Sequence, residues 1–242
     1  MTESELYRQQ LSELGLCSGD VVMVHSSMKA MQTKRTPEEI IGDIEAVIGE
    51  EGTLLMPALT YENGPVFDSE KSEPCVGLMA KTFWRMEGVL RSINPTHSVC
   101  ARGKLAHTLT VGHVMDDVAV GVHSPFMLLP CYKGKILFIG EVLNSCTFMH
   151  GIEEIVNPPY IRPTEAYYTV NGEKRAYKGG DGFGWGSEFQ RIEWILEEPD
   201  IRKGQIGEAK SFLIDSRALL AAALFKMRAD PYAFVTDISP WI

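Results

Sequence analysis

The chain has 242 residues, 45% of them hydrophobic and 23% charged, which sets it among folded globular proteins with a sizeable core and excludes a disordered chain. Its formal net charge of -9 leaves no basic footprint for nucleic-acid phosphates and suits a cationic partner. Five scattered cysteines, none paired as C-x-x-C, indicate neither a disulfide framework nor a thiolate zinc site; with no apolar run near the roughly 18 residues of a membrane span, and acids where a signal peptide has bases, a cytoplasmic protein is expected.

Thr2 followed by Glu5 has the spacing of a capping box, and Leu6, Leu11 and Leu14 ahead of Gly15 predict a short amphipathic helix with a glycine stop. After the Ser18-Gly19-Asp20 turn, residues 21–25 form a continuous apolar, β-branched run of the kind found in a central parallel strand, and Ser26-Ser27 marks its end. Thr36-Pro37-Glu38-Glu39 supplies an N-cap, a proline at the first helical position and an acid at the third, so a helix is predicted to Ile48. Residues 53–57 give a second buried strand. The strand-helix-strand unit over 21–57 sets the class as α/β, a single αβα domain over residues 1–242 with a central, mostly parallel sheet.

The stretch 60–74 is rich in Gly, Pro, Asp, Glu and Ser, an irregular length that points to a substrate-side loop, with Tyr61, Glu62 and Asp68 as candidates to contact a cationic substrate. Residues 76–86 read as a helix, 98–101 as a buried strand, and 104–111 as a further helix; Ser124-Pro125 opens a short helical turn. Residues 165–170 and 174–178, joined by Asn171-Gly172, predict a β-hairpin with a structural role, a small addition to the main sheet. Residues 179–186 read as a flexible Gly/aromatic loop, 188–196 as a helix with Phe189, Ile192, Ile195 and Leu196 inward, and Asp215 or Ser216 as the cap of a terminal helix reaching Met227.

Chemistry concentrates in 135–154. Ile136 to Ile139 is a buried strand closed by Gly140, and ligands in open α/β sheets bind beyond the carboxyl ends of the strands. Asn144, Thr147, His150 and Glu153 fall there. On a helix, Thr147, His150 and Glu153 share one face, aligning hydroxyl, imidazole and carboxylate. The bland alternative for His150 is a capping or packing histidine. Cys146 lies four residues before it, which allows a thiol-imidazole nucleophile, against the alternative of a buried, inert cysteine. No G-x-G-x-x-G follows the first strand, no G-x-S-x-G elbow is present, and the six histidines include no H-E-x-x-H, so a dinucleotide oxidoreductase, a serine hydrolase and a zinc protease are not indicated.

Several blocks in order resemble the aminoglycoside 3-N-acetyltransferase family: His25-Ser26-Ser27, Gly52-Thr53-Leu54-Leu55-Met56-Pro57, Arg91-Ser92-x-Asn94-Pro95-Thr96-His97-Ser98, Gly121-x-x-Ser124-Pro125, Gly134-Lys135-Ile136-Leu137-Phe138-Ile139-Gly140 and Thr147-x-x-His150-x-x-Glu153. The resemblance spans roughly residues 5 to 225. It implies acetyl-coenzyme A as co-substrate, no metal, and direct acylation of an amine, the substrate class being aminoglycosides. It also implies that Ser26, Ser27, Met28, Thr96, His97, Ser98 and Val99 hold the coenzyme, and that His150 is the base with an acidic partner, Glu153 or Asp181. A homodimer is compatible with it. Two departures stand out: Asn94 occupies a position where the family often has His, and the loop after Ser27 lacks the usual glycines. Imidazole, with an unperturbed pKa of about 6.5, suits the removal of an amine proton near neutral pH. Oxyanion donors are expected from backbone N–H groups near Ser26, Ser27 or Thr96, or from the Thr96 hydroxyl.

Overall fold

A computed structural model describes residues 2–182 and 184–239, apart from the side chain of Asp181. In chain order the elements are α1 (Glu3–Leu14), β1 (Val21–Ser26), α2 (Met28–Met31), α3 (Pro37–Ile48), β2 (Thr53–Pro57), β3 (Val66–Phe67), α4 (Leu78–Arg85), β4 (Leu90–Arg91), β5 (Val99–Gly103), α5 (Ala106–Thr110) and α6 (Pro125–Leu128). There follow β6 (Lys135–Ile139), α7 (Phe148–Val156), β7 (Arg162–Val170), β8 (Glu173–Asp181), β9 (Trp185–Ser187), β10 (Ile201–Ile206), β11 (Ala209–Asp215), α8 (Ser216–Ala229) and β12 (Val235–Asp237). Both predicted capping boxes form, at Thr2 and Thr36.

The main sheet has the order β10-β11-β6-β1-β2-β5-β4. Direct parallel pairing is confined to its centre, β6 with β1 and β1 with β2. Antiparallel partners extend it at both edges, so β11 and β5 run against the other five strands. Strand alternation explains the layers. Met23, Leu55, Ile136 and Phe138 point to one face and pack with Phe148, Ile152, Leu219 and Met227 from α7 and α8. Val22, Leu54, Leu137 and Ile139 point to the other and pack with Tyr7, Leu11, Ile41 and Ile44 from α1 and α3. Consecutive apolar residues of these strands are therefore buried alternately in one layer and the other.

Two predictions from sequence need correction, and one element was not predicted. The hairpin turns at Asn171 and Gly172, both with positive φ as a type I′ turn requires, but its strands run on, so Gly179, Gly180 and Asp181 pair with Thr164, Pro163 and Arg162 and are not a free loop. Glycine suits the place: a Cβ at Gly180 would lie 2.1 Å from Ile161 Cγ2. Residues Phe189–Trp194 form a 3₁₀ helix in place of a longer α-helix, with Ile195 only half-buried. Residues 201–215 form an antiparallel hairpin that helical and strand periodicity did not reveal, because exposed Arg202 to Gln205 interrupt the apolar pattern of an edge strand. The irregular stretch 60–74 also carries β3, which pairs with β7 in a second, small sheet. Among the described residues no helix is long and apolar enough to cross a membrane.

One buried charge ties the layer of α1 and α3. Asp43 on α3, with its side chain 1% exposed, accepts hydrogen bonds from Ser4, Arg8 and Arg35, whose guanidinium is itself 11% exposed. Burial opposes its ionisation, yet the bonds from Ser4, Arg35 and Arg8 outweigh that and hold its carboxyl below the ordinary value. Asp43→Ala, which leaves Arg35 buried without its partner, is expected to lower unfolding free energy by about 3 kcal/mol in urea melts at neutral pH. Because the folded-state value is depressed, this contribution is present above pH 3.8 and is lost as the pH falls through the folded value, so wild type and variant should converge in strong acid.

Candidate active site

The site is built where the parallel strands end. β6 stops at Gly140, whose φ of 103° and lack of a side chain bring it beside the tip of β1: a Cβ would meet Ser27 Cβ at 3.2 Å and Ala30 Cβ at 3.1 Å. Past this turn, Asn144 Oδ1 accepts the Phe189 N–H at 2.7 Å, pinning the 3₁₀ helix against the start of α7. Phe189 then packs edge-on to the His150 ring, centroids 5.1 Å apart.

His150 and Glu153 meet as their helical spacing predicts. The imidazole Nδ1 lies 2.7 Å from Glu153 Oε2, and the Tyr160 hydroxyl donates to Glu153 Oε1, also at 2.7 Å. A carboxylate only accepts, so the His150 proton resides on Nδ1 and its Nε2 lone pair is free. Burial and the Glu153 charge raise the Tyr160 phenol, keeping it a donor. Glu153 is 9% exposed and His150 41%, so a shielded carboxylate orients a ring that reaches open space. The side chain of the alternative partner, Asp181, lies outside the described residues.

A cavity of about 200 Å³ fronts this pair, lined by His97, His150, Glu153, Glu154, Gly179 and Gly180 among others. The hairpin read as structural thus also supplies a wall. Tyr61, 51% exposed, approaches His97 at 6.1 Å between ring centroids, and His97 approaches His150 at 6.0 Å. Glu154, Asn157, Tyr160 and Phe189 were not singled out from sequence. Glu154 was within reach of it, standing four residues from His150 on the same helix; Tyr160 and Phe189 arrive through the fold. Burial and the neighbouring Glu153 charge raise the Glu154 carboxyl, as expected of two acids crowded beside one cavity.

A second cavity, of about 230 Å³, opens at the ends of β1 and β2, with Ser26, Leu59, Val76, Gly77, Ser145 and Thr147 in its walls. Thr147 therefore faces this side, its hydroxyl 3.4 Å from Ser145 O, and does not complete a row with His150 and Glu153. His25 lines the same cavity, stacked on Phe138 at 4.9 Å; burial pushes it down to about 4 and Nε2 has no partner, so it is neutral.

The remaining candidates divide. Ser27 caps α2, its hydroxyl accepting from Ala30 N and its own N–H donating to Ile139 O, while Met28 packs against the α1–α3 core. Ser98 and Val99 are fully buried and line neither cavity. Ser98 joins a clamp on the irregular stretch: Arg91 donates to Ser98 Oγ and to the carbonyls of Ala58, Ser69 and Ser72, and lies over the Phe67 and Trp84 rings. Asp68 closes a turn by accepting from the Glu70 and Lys71 N–H groups and pairs with Lys71. Glu62 is exposed, and neither Glu62 nor Asp68 lines the His150 cavity. The oxyanion donors expected at Ser27 N–H, Thr96 N–H and the Thr96 hydroxyl are committed to Ile139 O and Asn94 Oδ1. Cys146 is fully buried and its thiol is pushed up to about 12 by that burial, which removes it as a nucleophile. Among the described residues, no three His, Cys, Asp or Glu side chains converge as a metal site.

The sequence of residues 23–228 matches the profile of the aminoglycoside 3-N-acetyltransferases. The chain belongs to this family. It is 28% identical over 233 residues to aminoglycoside N(3)-acetyltransferase IV of Salmonella sp., covering 93% of this chain and 87% of that one. With aminoglycoside N(3)-acetyltransferase III of Serratia marcescens the identity is 32% over 180 residues, 66% of each chain. A solved structure of a mutant of the family member AAC(3)-IVa in complex with a gentamicin superposes with a TM-score of 0.84 at 26% identity, covering 96% of this chain and 90% of that one. The solved binary structure of AAC-IIIb with CoASH gives 0.81 at 25% identity, covering 93% and 96%.

The Arg91 clamp can be tested by itself. Arg91→Met keeps a long apolar stem but removes the donor of the Ser69 and Ser72 carbonyls, Ala58 O retaining the Ser98 hydroxyl, at a cost of about 2 kcal/mol. Amide exchange across 60–74 should accelerate, with the Thr60 and Cys75 N–H groups among the first affected, while the exchange of β6 stays slow.

Proposed function

We propose that this family member transfers the acetyl group of acetyl-coenzyme A to the 3-amino group of a 2-deoxystreptamine aminoglycoside, as an antibiotic-resistance enzyme of the cytoplasm. One observation carries the reading: an imidazole with its tautomer set by a shielded carboxylate, His150 on Glu153, presents a free Nε2 lone pair to an acid-lined cavity at the carboxyl end of the central strands. The amine, drawn to the site as a cation by Glu153 and Glu154, gives one proton to solvent to become a nucleophile and loses a second as its nitrogen bonds the thioester carbon. His150 Nε2 accepts this second proton, and the imidazolium is stabilised through Nδ1 by Glu153, which Tyr160 holds in place. The proton then passes to the departing thiolate.

The donor fits the second cavity. Its hydroxyls, Ser26, Ser145 and Thr147, suit the amides of pantetheine, and Leu59 and Val76 suit its apolar links. Thr147 immediately precedes α7, on which His150 lies one turn further on, so a thioester entering along this cleft ends near the amine. Of the residues that sequence assigned to the coenzyme, Ser26 is the one whose place supports it most directly.

Purified protein given acetyl-coenzyme A and a panel of amines should release thiol with aminoglycosides; no release with any of them, together with no coenzyme binding by calorimetry, would overturn the reading. His150→Ala should lower kcat roughly 10²- to 10⁴-fold at an unchanged dissociation constant for acetyl-coenzyme A, since the imidazole moves a proton and does not hold the donor. Tyr160→Phe should lower kcat roughly 3- to 10-fold, the effect of one lost hydrogen bond to the orienting carboxylate, with thermal stability measured beside it.

A further inference from the structure

The turn before β5 sets the protonation of a second imidazole. Asn94 is fully buried, its side-chain amide donating to Val118 O at 2.9 Å. Its Oδ1 accepts from the Thr96 N–H at 3.1 Å, the Thr96 hydroxyl at 3.2 Å and the His97 N–H at 2.8 Å. A carbonyl on one side and three donors on the other decide which end of the amide is oxygen. The Thr96 hydroxyl has one proton and gives it to Asn94. With Thr96 Oγ1–H directed at Asn94 Oδ1, the lone pairs of Oγ1 face His97 Nδ1, 2.9 Å away, an arrangement that favours the ring proton on Nδ1 and the lone pair on Nε2. Burial, with His150 and His113 nearby, holds His97 down to about 3, which keeps the ring neutral.

His97 lines the His150 cavity and not the Ser26 cavity. Two imidazoles thus border one cavity, ring centroids 6.0 Å apart and nearly perpendicular, and a proton on Nδ1 of each leaves Nε2 bare toward a ligand. That span suits one amine nitrogen hydrogen-bonded to both rings.

We propose that His97 belongs to the acceptor side of the site, where its Nε2 takes the N–H that the amine keeps while His150 Nε2 takes the proton that the amine loses. The assignment rests on the acetyl-transfer reading above. A neutral primary amine carries two N–H bonds. As the new C–N bond forms and the C–S bond breaks, one proton passes to His150 and on to the thiolate sulfur; the other N–H remains in the product amide. With both N–H bonds directed at fixed acceptors, the nitrogen lone pair has one direction left, toward the thioester carbon. His97 cannot serve the oxyanion, because its Nε2 has no proton to donate.

Three variants and one spectroscopic measurement test this. His97→Leu should lower kcat/KM for the amine about tenfold, the effect of one hydrogen bond in the reacting complex, with the calorimetric dissociation constant for acetyl-coenzyme A unchanged. His97→Gln, whose amide oxygen still accepts, should recover most of that loss. Nitrogen-15 spectra of the wild-type imidazoles should show His97 Nε2 unprotonated, and Thr96→Val, which removes the oxygen facing Nδ1, should mix the two tautomers. Weakened coenzyme binding with unchanged amine kinetics in His97→Leu, equal losses in the Leu and Gln variants, or a protonated Nε2 in the wild type would each overturn the assignment. A wild-type protein that acetylates no amine ends the acetyl-transfer reading and this assignment with it; an active wild type with normal amine kinetics in His97→Leu ends this assignment alone.

Discussion

Strands covered on both faces have only their ends free. β1, β2 and β6 carry apolar residues at nearly every position because a helical layer lies on each side of them, and no polar group can be spared along their length. Function is thereby confined to their edges. At the carboxyl edge three things coincide: the tip of β1 at Ser26, the tip of β2 at Pro57, and the turn from β6 that delivers α7. Gly140 makes the coincidence close, since its missing side chain lets the end of β6 pass against Ser27 and Ala30.

Most polar groups that enter the interior are engaged, His25 Nε2 being an exception, and they shape the edge. Arg91 fastens the irregular stretch to the sheet through three carbonyls and one hydroxyl. Ser92 bonds both the Val99 N–H and His113 Nδ1, holding the turn from its far side. The segment from Arg91 to Ser98 is thus mainly a structural device in which most side chains secure a short turn, and His97, half-buried, lines the cavity. Burying so much polarity is tolerable because these groups find their partners; the same groups unpaired would destabilise the chain by about 1–3 kcal/mol each.

Local rules made much of this legible. Thr2, Thr36 and Pro37 announce helix starts, Asn171-Gly172 announces its turn, and the run from Ile136 to Ile139 announces a central strand, since each signal depends only on neighbours in the chain. The pairing of His150 with Glu153 was legible for the same reason, being a contact within one helix. What needed the fold were contacts across distance. Tyr160 completes the carboxylate's bonds after the chain has left α7, and Val118, far along the chain, orients the Asn94 amide that meets Thr96 and His97. Ser98 and Val99, assigned to the coenzyme from their motif, are taken inward by strand alternation and the Arg91 clamp, which only the fold shows.

The wall formed by Gly179 and Gly180 has an evolutionary consequence. Because these residues pair with Thr164 and Pro163 and offer backbone alone, the strand has no side chain of its own there to trim or enlarge, and Ile161 is the side chain that lines the cavity beside it. Nor can position 180 readily acquire one, with Ile161 Cγ2 only 2.1 Å from where a Cβ would stand. A lineage under selection to narrow its range of acceptors on this side must first shorten residue 161, and until then single substitutions at 180 lead to a misfit hairpin and not to a new specificity.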